Sequence, residues 1–167
     1  HMRIDFPDIA FFRYDITEDS VAALSRGNFD TVVCVNVLEH VADDRRAVAN
    51  ILRILRPGGR LLLYVPALPL LYGSLDRNLA HYRRYDKRTL EGRLRQAGFS
   101  IERIFYSNLF AAFGWFLNSR ILQKKNLSYW QTMVFDKFAL FIERIETVIP
   151  LPVGMSLAGV SVKKFWF

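Results

Sequence analysis

Two histidines stand in company suited to proton transfer. His40 closes the run Asn36-Val37-Leu38-Glu39-His40, and His81 opens the run His81-Tyr82-Arg83-Arg84-Tyr85. Imidazole titrates near neutral pH and can take a proton from a hydroxyl, so both are candidate catalytic bases, with a purely structural role as the alternative for each. Tyr72, Asp76, Tyr82, Arg83 and Tyr85 keep close sequence company with His81 and could form a polar and aromatic wall around an acceptor molecule. Arg83 and Arg84 precede the next helix and are the better candidates for contact with an anion. Lys87, Arg88, Arg93 and Arg95 read instead as the solvated face of that helix. The three histidines and single cysteine show none of the usual metal-ligand spacings, so no metal is expected.

The elements that must position these groups can be read from periodicity. Phe29 to Val35 is apolar, rich in β-branched residues and too short for a buried helix, so it reads as a strand. Val48, Ile51, Leu52 and Leu55 share one helical face, Asp43 or Ala42 stands near the helix start, and Pro57-Gly58-Gly59 stops the helix before a second strand at Arg60 to Val65. Such a βαβ unit is a right-handed crossover with parallel strands, which places Asn36, Glu39 and His40 just past a strand's carboxyl end, where ligands bind. Ile9 to Tyr14 is a further expected strand ending at Asp15, and Ser20 to Arg26 a short helix. Asp86 caps a helix that closes at Gly98. Ser100 to Tyr106 and Met155 to Lys164 are expected to pair as an antiparallel hairpin. Between them, Leu109 to Leu122 and Ser128 to Val148 carry helical patterns, forming an insertion over residues 107–149.

Asp30 to His40 with the Pro57-Gly58-Gly59 turn resembles the second half of class I S-adenosylmethionine-dependent methyltransferases. Tyr72-Gly-Ser-Leu-Asp76, His81-Tyr-Arg-Arg-Tyr85 and the helix closing at Ala97-Gly98-Phe99 are similar to substrate-side elements of one bacterial branch. The resemblance runs from Ile9 to Lys164. It implies an α/β fold: a truncated Rossmann-like methyltransferase sheet, mostly parallel with a C-terminal antiparallel hairpin and a helical insertion before the last strand. Residues 1–167 would form a single, partial methyltransferase domain. The implied cofactor is S-adenosyl-L-methionine, with S-adenosyl-L-homocysteine as product, and the acceptor a small molecule, lipid or glycan of apolar or anionic character. By the same resemblance Asp15, followed by Ile16, matches the acidic residue that receives the adenine amino group, and Asn36, Val37 and Leu38 border the methionine end. A carboxylate at a strand end is also well placed to accept such a bond on its own chemistry, although capping near Thr17 is the plainer role. Asn36 could equally serve only its turn.

One part of the family pattern is absent. No Gly-x-Gly turn precedes Phe29, the first glycine being Gly27, and His1-Met2 reads as an added terminus. The half that grips the cofactor's amino acid and ribose is therefore expected to lie outside this chain, which alone would be weak or inactive. The alternative is a non-catalytic remnant that acts as an interaction or oligomerisation module, because a central apolar strand without its neighbour seeks a partner. Homo-oligomerisation through that sheet edge is expected.

Composition narrows the remaining classes. The 167 residues suit one domain, against a prior of roughly 150 residues per domain, and 51% hydrophobic content is ample for a core. Cys34, flanked by Val33 and Val35, reads as a small buried residue; with one cysteine no intrachain disulfide framework can form, in keeping with a cytoplasmic location. The longest apolar run falls short of the ~18 residues of a membrane-spanning helix. Net charge is +7, a weak pointer to nucleic acid, which is not the expected partner. The insertion holds Phe110, Phe113, Trp115, Phe116, Trp130, Phe135, Phe138 and Phe141, which would serve as a lid for an apolar acceptor, a peripheral membrane contact, or an ordinary packed helix pair.

Overall fold

The computed structural model describes residues 12–20, 29–124, 133 and 152–164. The first strand, β1 (Phe29–Val35), leads through a tight turn at Leu38–His40 into helix α1 (Asp44–Ile54), which returns to strand β2 (Leu55–Pro66). Asp43 caps α1, its carboxylate accepting from the Arg46 amide at 3.0 Å. β1 and β2 run parallel, with Val32 opposite Leu61 and Val35 opposite Tyr64. The expected crossover is therefore present. The ladder slips between Phe29 and Thr31, whose partners are Leu55 and Arg60, so Arg56 to Gly59 loops out where the Pro-Gly-Gly turn was expected.

A short helix α2 (Ser74–Asn78) and a longer one, α3 (Lys87–Ala97), follow. Asp86 caps α3 by accepting from the Thr89 amide at 2.7 Å, and Gly98 ends it at φ 108°, a left-handed conformation that favours glycine. Strand β3 (Phe99–Ser107), helix α4 (Leu109–Phe116) with a wide π-turn at Leu117–Ile121, and strand β4 (Ser156–Lys163) complete the described elements. β4 lies between β2 and β3 and is antiparallel to both, in the order β1-β2-β4-β3. The hairpin expected of the last two strands forms. Among the described residues the sheet is mixed, with its parallel part confined to β1 and β2.

One sheet face carries the core. Cys34, Leu61, Leu63, Val65, Ile104 and Leu157 pack against Ala47, Val48 and Ile51 of α1 and Leu90 and Leu94 of α3. Strand alternation exposes the other face of β1: Cys34 is 4% exposed, whereas Val33 is 64% and Val35 51%. Burial also pushes the Cys34 thiol up to about 11, as expected of an inert core residue.

Two expectations fare differently. Residues 12–14 form no strand; the following turn is instead tied to α1, because Asn50 donates to the carbonyls of Ile16 and Glu18 at 2.9 and 3.0 Å. The first helical pattern of the insertion appears as α4 and its π-turn, while the second, from Ser128 to Val148, lies outside the described residues apart from Met133, as do residues 9–11 and 21–26.

Candidate functional site

The site is assembled where the carboxyl ends of β1 and β2 meet the segment before α3. Just past β1, Asn36 adopts φ 50°, a left-handed conformation that asparagine tolerates, and its amide donates to the Tyr64 carbonyl at 2.9 Å. The chain then turns so that Leu38 and Glu39 point inward while Asn36, Val37 and His40 stay exposed. Segment 82–85 is bound to both strand ends: the Tyr82 amide donates to the Glu39 carbonyl at 2.7 Å and the Tyr85 amide to the Pro66 carbonyl at 2.9 Å. This pairing brings the rings of His40 and His81 together edge to face, 4.6 Å between centroids.

Asp76 organises the ground beneath His81. Its side chain is fully buried, and its Oδ1 lies 3.1 Å from His81 Nδ1 and 2.7 Å from Arg84 Nε. Its Oδ2 accepts from the Gly73 amide at 3.0 Å and from Trp115 Nε1 at 3.2 Å. Arg84, also buried, donates to the Ala67 carbonyl at 3.0 Å and lies over the Trp115 ring, 4.7 Å from its centre. Gly73 is required by close approach, since a Cβ there would collide with Ser119. Burial lowers the His81 pKa, a shift that the hydrogen bond and charge of Asp76 oppose.

A second buried carboxylate, Asp44, sits at the start of α1. It accepts from Tyr85 Oη at 3.0 Å and Arg93 Nε at 3.2 Å, and pairs with Arg83 at 3.0 Å. Burial pushes its pKa up, but the hydrogen bonds of Arg83 and Tyr85 and the charges of Arg83 and Arg93 outweigh this and hold it below the usual range. The Tyr85 hydroxyl is pushed up, by burial first and then by the charge of Asp44.

These contacts redistribute the expected roles. Asp76 and Tyr85, expected on a wall around the acceptor, lie in the interior, so they hold the site's framework instead of facing a ligand. Arg84 is likewise buried and paired, which removes it as an anion contact, and the Arg83 charge is already matched by Asp44. Of the expected wall, Tyr72 is half-buried, with its hydroxyl donating to the His81 carbonyl at 2.8 Å, and Tyr82 is exposed. Asp15 is exposed; its Oδ1 accepts from the Thr17 amide and hydroxyl at 2.8 and 2.7 Å, the plainer of its two expected roles, and these bonds lower its pKa. Ile16 packs on the core beside it.

Two contributors, Trp115 and Asp44, were not anticipated, and a third, Glu39, was expected only as a polar residue past the strand end. Trp115 reaches Asp76 from α4, a distance in sequence that no local pattern reveals. Asp44 carried a signal only as an acidic residue in a helix's first turn. Glu39 is 1% exposed, its Oε2 has no hydrogen-bond partner among the described residues, and burial raises its pKa. Glu39, His40 and His81 each offer one ligand atom, all within 4.8 Å of one another. Linear spacing held no such set because residues 39–40 and 81 meet only through the fold.

Comparison with known proteins agrees with this architecture. Residues 4–104 match a family model described as a methyltransferase domain. The ubiquinone biosynthesis O-methyltransferase of Xanthomonas oryzae pv. oryzae is 42% identical over 52 residues, covering 31% of this chain and 21% of that protein. Its namesake from Thiobacillus denitrificans is 33% identical over 67 residues, covering 40% of this chain and 25% of that protein. The chain thus spans about a fifth to a quarter of the length of these curated relatives. The crystal structure of a SAM-dependent methyltransferase from Archaeoglobus fulgidus superposes with a TM-score of 0.56 at 15% identity, over 95% of this chain and 70% of that one. At that identity the likeness is one of fold.

Proposed function

Because the chain belongs to the class I S-adenosylmethionine-dependent methyltransferases, we propose that in the complete protein it serves methyl transfer to a hydroxyl oxygen of a small acceptor held beside His40 and His81. The observation that carries this reading is the fixed His81 ring. With Nδ1 directed at the Asp76 carboxylate, the Nε2 nitrogen is left to accept a proton. The O-methyltransferase names of the matched relatives support an oxygen acceptor. Tyr72 and Tyr82 flank His81 and would steady an aromatic or otherwise planar acceptor, with Arg83 at the rim.

S-adenosylmethionine, when bound, supplies an electrophilic sulfonium methyl group. The donor set present is chemically suited to it: the exposed Asn36 amide can donate and accept toward an amino-acid end, Val37 adds an apolar contact with Leu38 behind it, and the exposed Asp15 carboxylate can receive an amino group. These residues orient and desolvate, and His81 or His40 removes the acceptor's proton. We assign the work to the cytoplasm, in keeping with a buried free cysteine. No helix among the described residues is long and apolar enough to cross a membrane.

The decisive experiment pairs calorimetric titration of S-adenosylmethionine into the chain with transfer of a labelled methyl group to a panel of phenols. Measurable affinity and transfer that His81→Asn abolishes support the reading. Silence in both favours a non-catalytic module that uses the open β1 edge.

The buried Glu39 oxygen, without a hydrogen-bond partner among the described residues and beside two histidines, favours a second reading of the same place. Two imidazoles and a carboxylate are a donor set suited to zinc, which would polarise an acceptor hydroxyl in place of a base.

A further inference from the structure

Helix α4 and its π-turn bury one side and leave the other bare. Ala112, Asn118 and Ser119 are buried, Trp115 reaches Asp76, and Phe110 (53% exposed), Phe113 (73%), Leu117 (46%) and Ile121 (60%) face solvent. At 3.6 residues per turn Phe110, Phe113 and Leu117 fall within an arc of about 60°, and Ile121 carries this apolar stripe into the π-turn, on the side opposite the packed residues. Two exposed aromatics and two exposed aliphatics in one stripe form a patch that water solvates poorly, where singly scattered exposed residues would call for no explanation.

The charge around the stripe names its partner. From Ile104 to Phe135 the sequence contains Arg120, Lys124 and Lys125 and no acidic residue. Arg120 is held beside the stripe, its guanidinium donating to the Tyr72 carbonyl at 3.2 Å. A protein partner's core would meet the apolar residues but gain little from the basic residues beside them. An anionic bilayer satisfies both, its acyl boundary taking the stripe and its headgroups the cations.

We propose that the outer face of α4 and its π-turn docks the protein on an anionic lipid surface. This surface lies on the same helix that gives Trp115 to the Asp76 cluster, on the side turned away from that cluster. The surface proposal does not depend on the methyl-transfer reading.

The test is co-sedimentation of the whole chain with vesicles of phosphatidylcholine alone or mixed with phosphatidylglycerol, at low and high salt. The expected result is binding to the mixed vesicles that weakens with salt and falls by about tenfold or more, equivalent to about 1.4 kcal/mol, in the double variant F113S/L117S. Circular dichroism of that variant checks that the exposed substitutions leave the fold intact. Absence from the mixed vesicles, equal binding to both vesicle types, or undiminished binding by the double variant would overturn the proposal. So would a dimer that F113S/L117S dissolves while the wild type ignores vesicles, because the face would then belong to a second copy.

Discussion

Arg84 Nε stands 2.7 Å from Asp76 Oδ1 with the two side chains 1% and 0% exposed, so neither charge has water to fall back on. Removing one member of such a pair strands the other in a medium that solvates it poorly. Asp76→Ala is expected to lower the unfolding free energy by about 3–5 kcal/mol in urea titration. Asp76→Asn, which keeps two of the hydrogen bonds, should cost less. A loss within 1 kcal/mol of zero, by the same order-of-magnitude reasoning, would show that the pair is solvated.

The same carboxylate governs His81. In the proposed reaction, His81→Asn should lower kcat for methyl transfer by about 10²–10⁴-fold with little change in the affinity for S-adenosylmethionine. His40→Asn, which retains the Asp76–His81 contact, should cost less. Equal losses would place the base elsewhere.

The zinc reading makes its own demand. Stoichiometric zinc should raise the thermal midpoint of the wild-type chain and leave Glu39→Gln unchanged, and a chelator should reverse the gain. A wild type indifferent to zinc, judged by differential scanning fluorimetry, removes that reading without touching the base.

Asp44 predicts an acid limit to stability. Its folded pKa is depressed by Arg83, Tyr85 and Arg93 despite burial, so the unfolded state binds its proton more readily. Its contribution is complete above the ordinary aspartate value of about 3.9 and is lost as pH falls through the lowered folded value. Asp44→Asn should therefore destabilise at neutral pH by about 1–3 kcal/mol and flatten the dependence on acid. Urea midpoints of both proteins across the acid range measure this directly.

The open edge of β1 offers a last test. Among the described residues it pairs on one side only, and Val33 and Val35 of this strand expose apolar side chains on the adjoining sheet face. Self-association through this edge is expected in light scattering at micromolar concentration, and Val35→Lys should weaken it. A monodisperse wild-type monomer would contradict it.

How much of this was legible beforehand differs element by element. The β1–α1–β2 unit followed from apolar period and breakers alone, since Phe29 to Val35 is a short β-branched run of strand length and Val48, Ile51 and Leu52 share one helix face. Asp86 and Gly98 marked both ends of α3 because capping is local chemistry. The Ile9 to Tyr14 run could not be settled locally: a short apolar run becomes a strand only if a neighbour offers a ladder, and the described residues 12–14 have none.

The site divides the same way. Local order in the chain was sufficient to mark His40 and His81 as groups worth watching, because residue type and position past a strand end are one-dimensional facts. That Asp76 and Tyr85 turn inward, that Arg84 spends its charge on Asp76, that Trp115 joins them from α4, and that Glu39 meets both imidazoles were decided only by the tertiary structure. Burial and pairing depend on which distant segments share a volume, and no spacing along the chain carries that information.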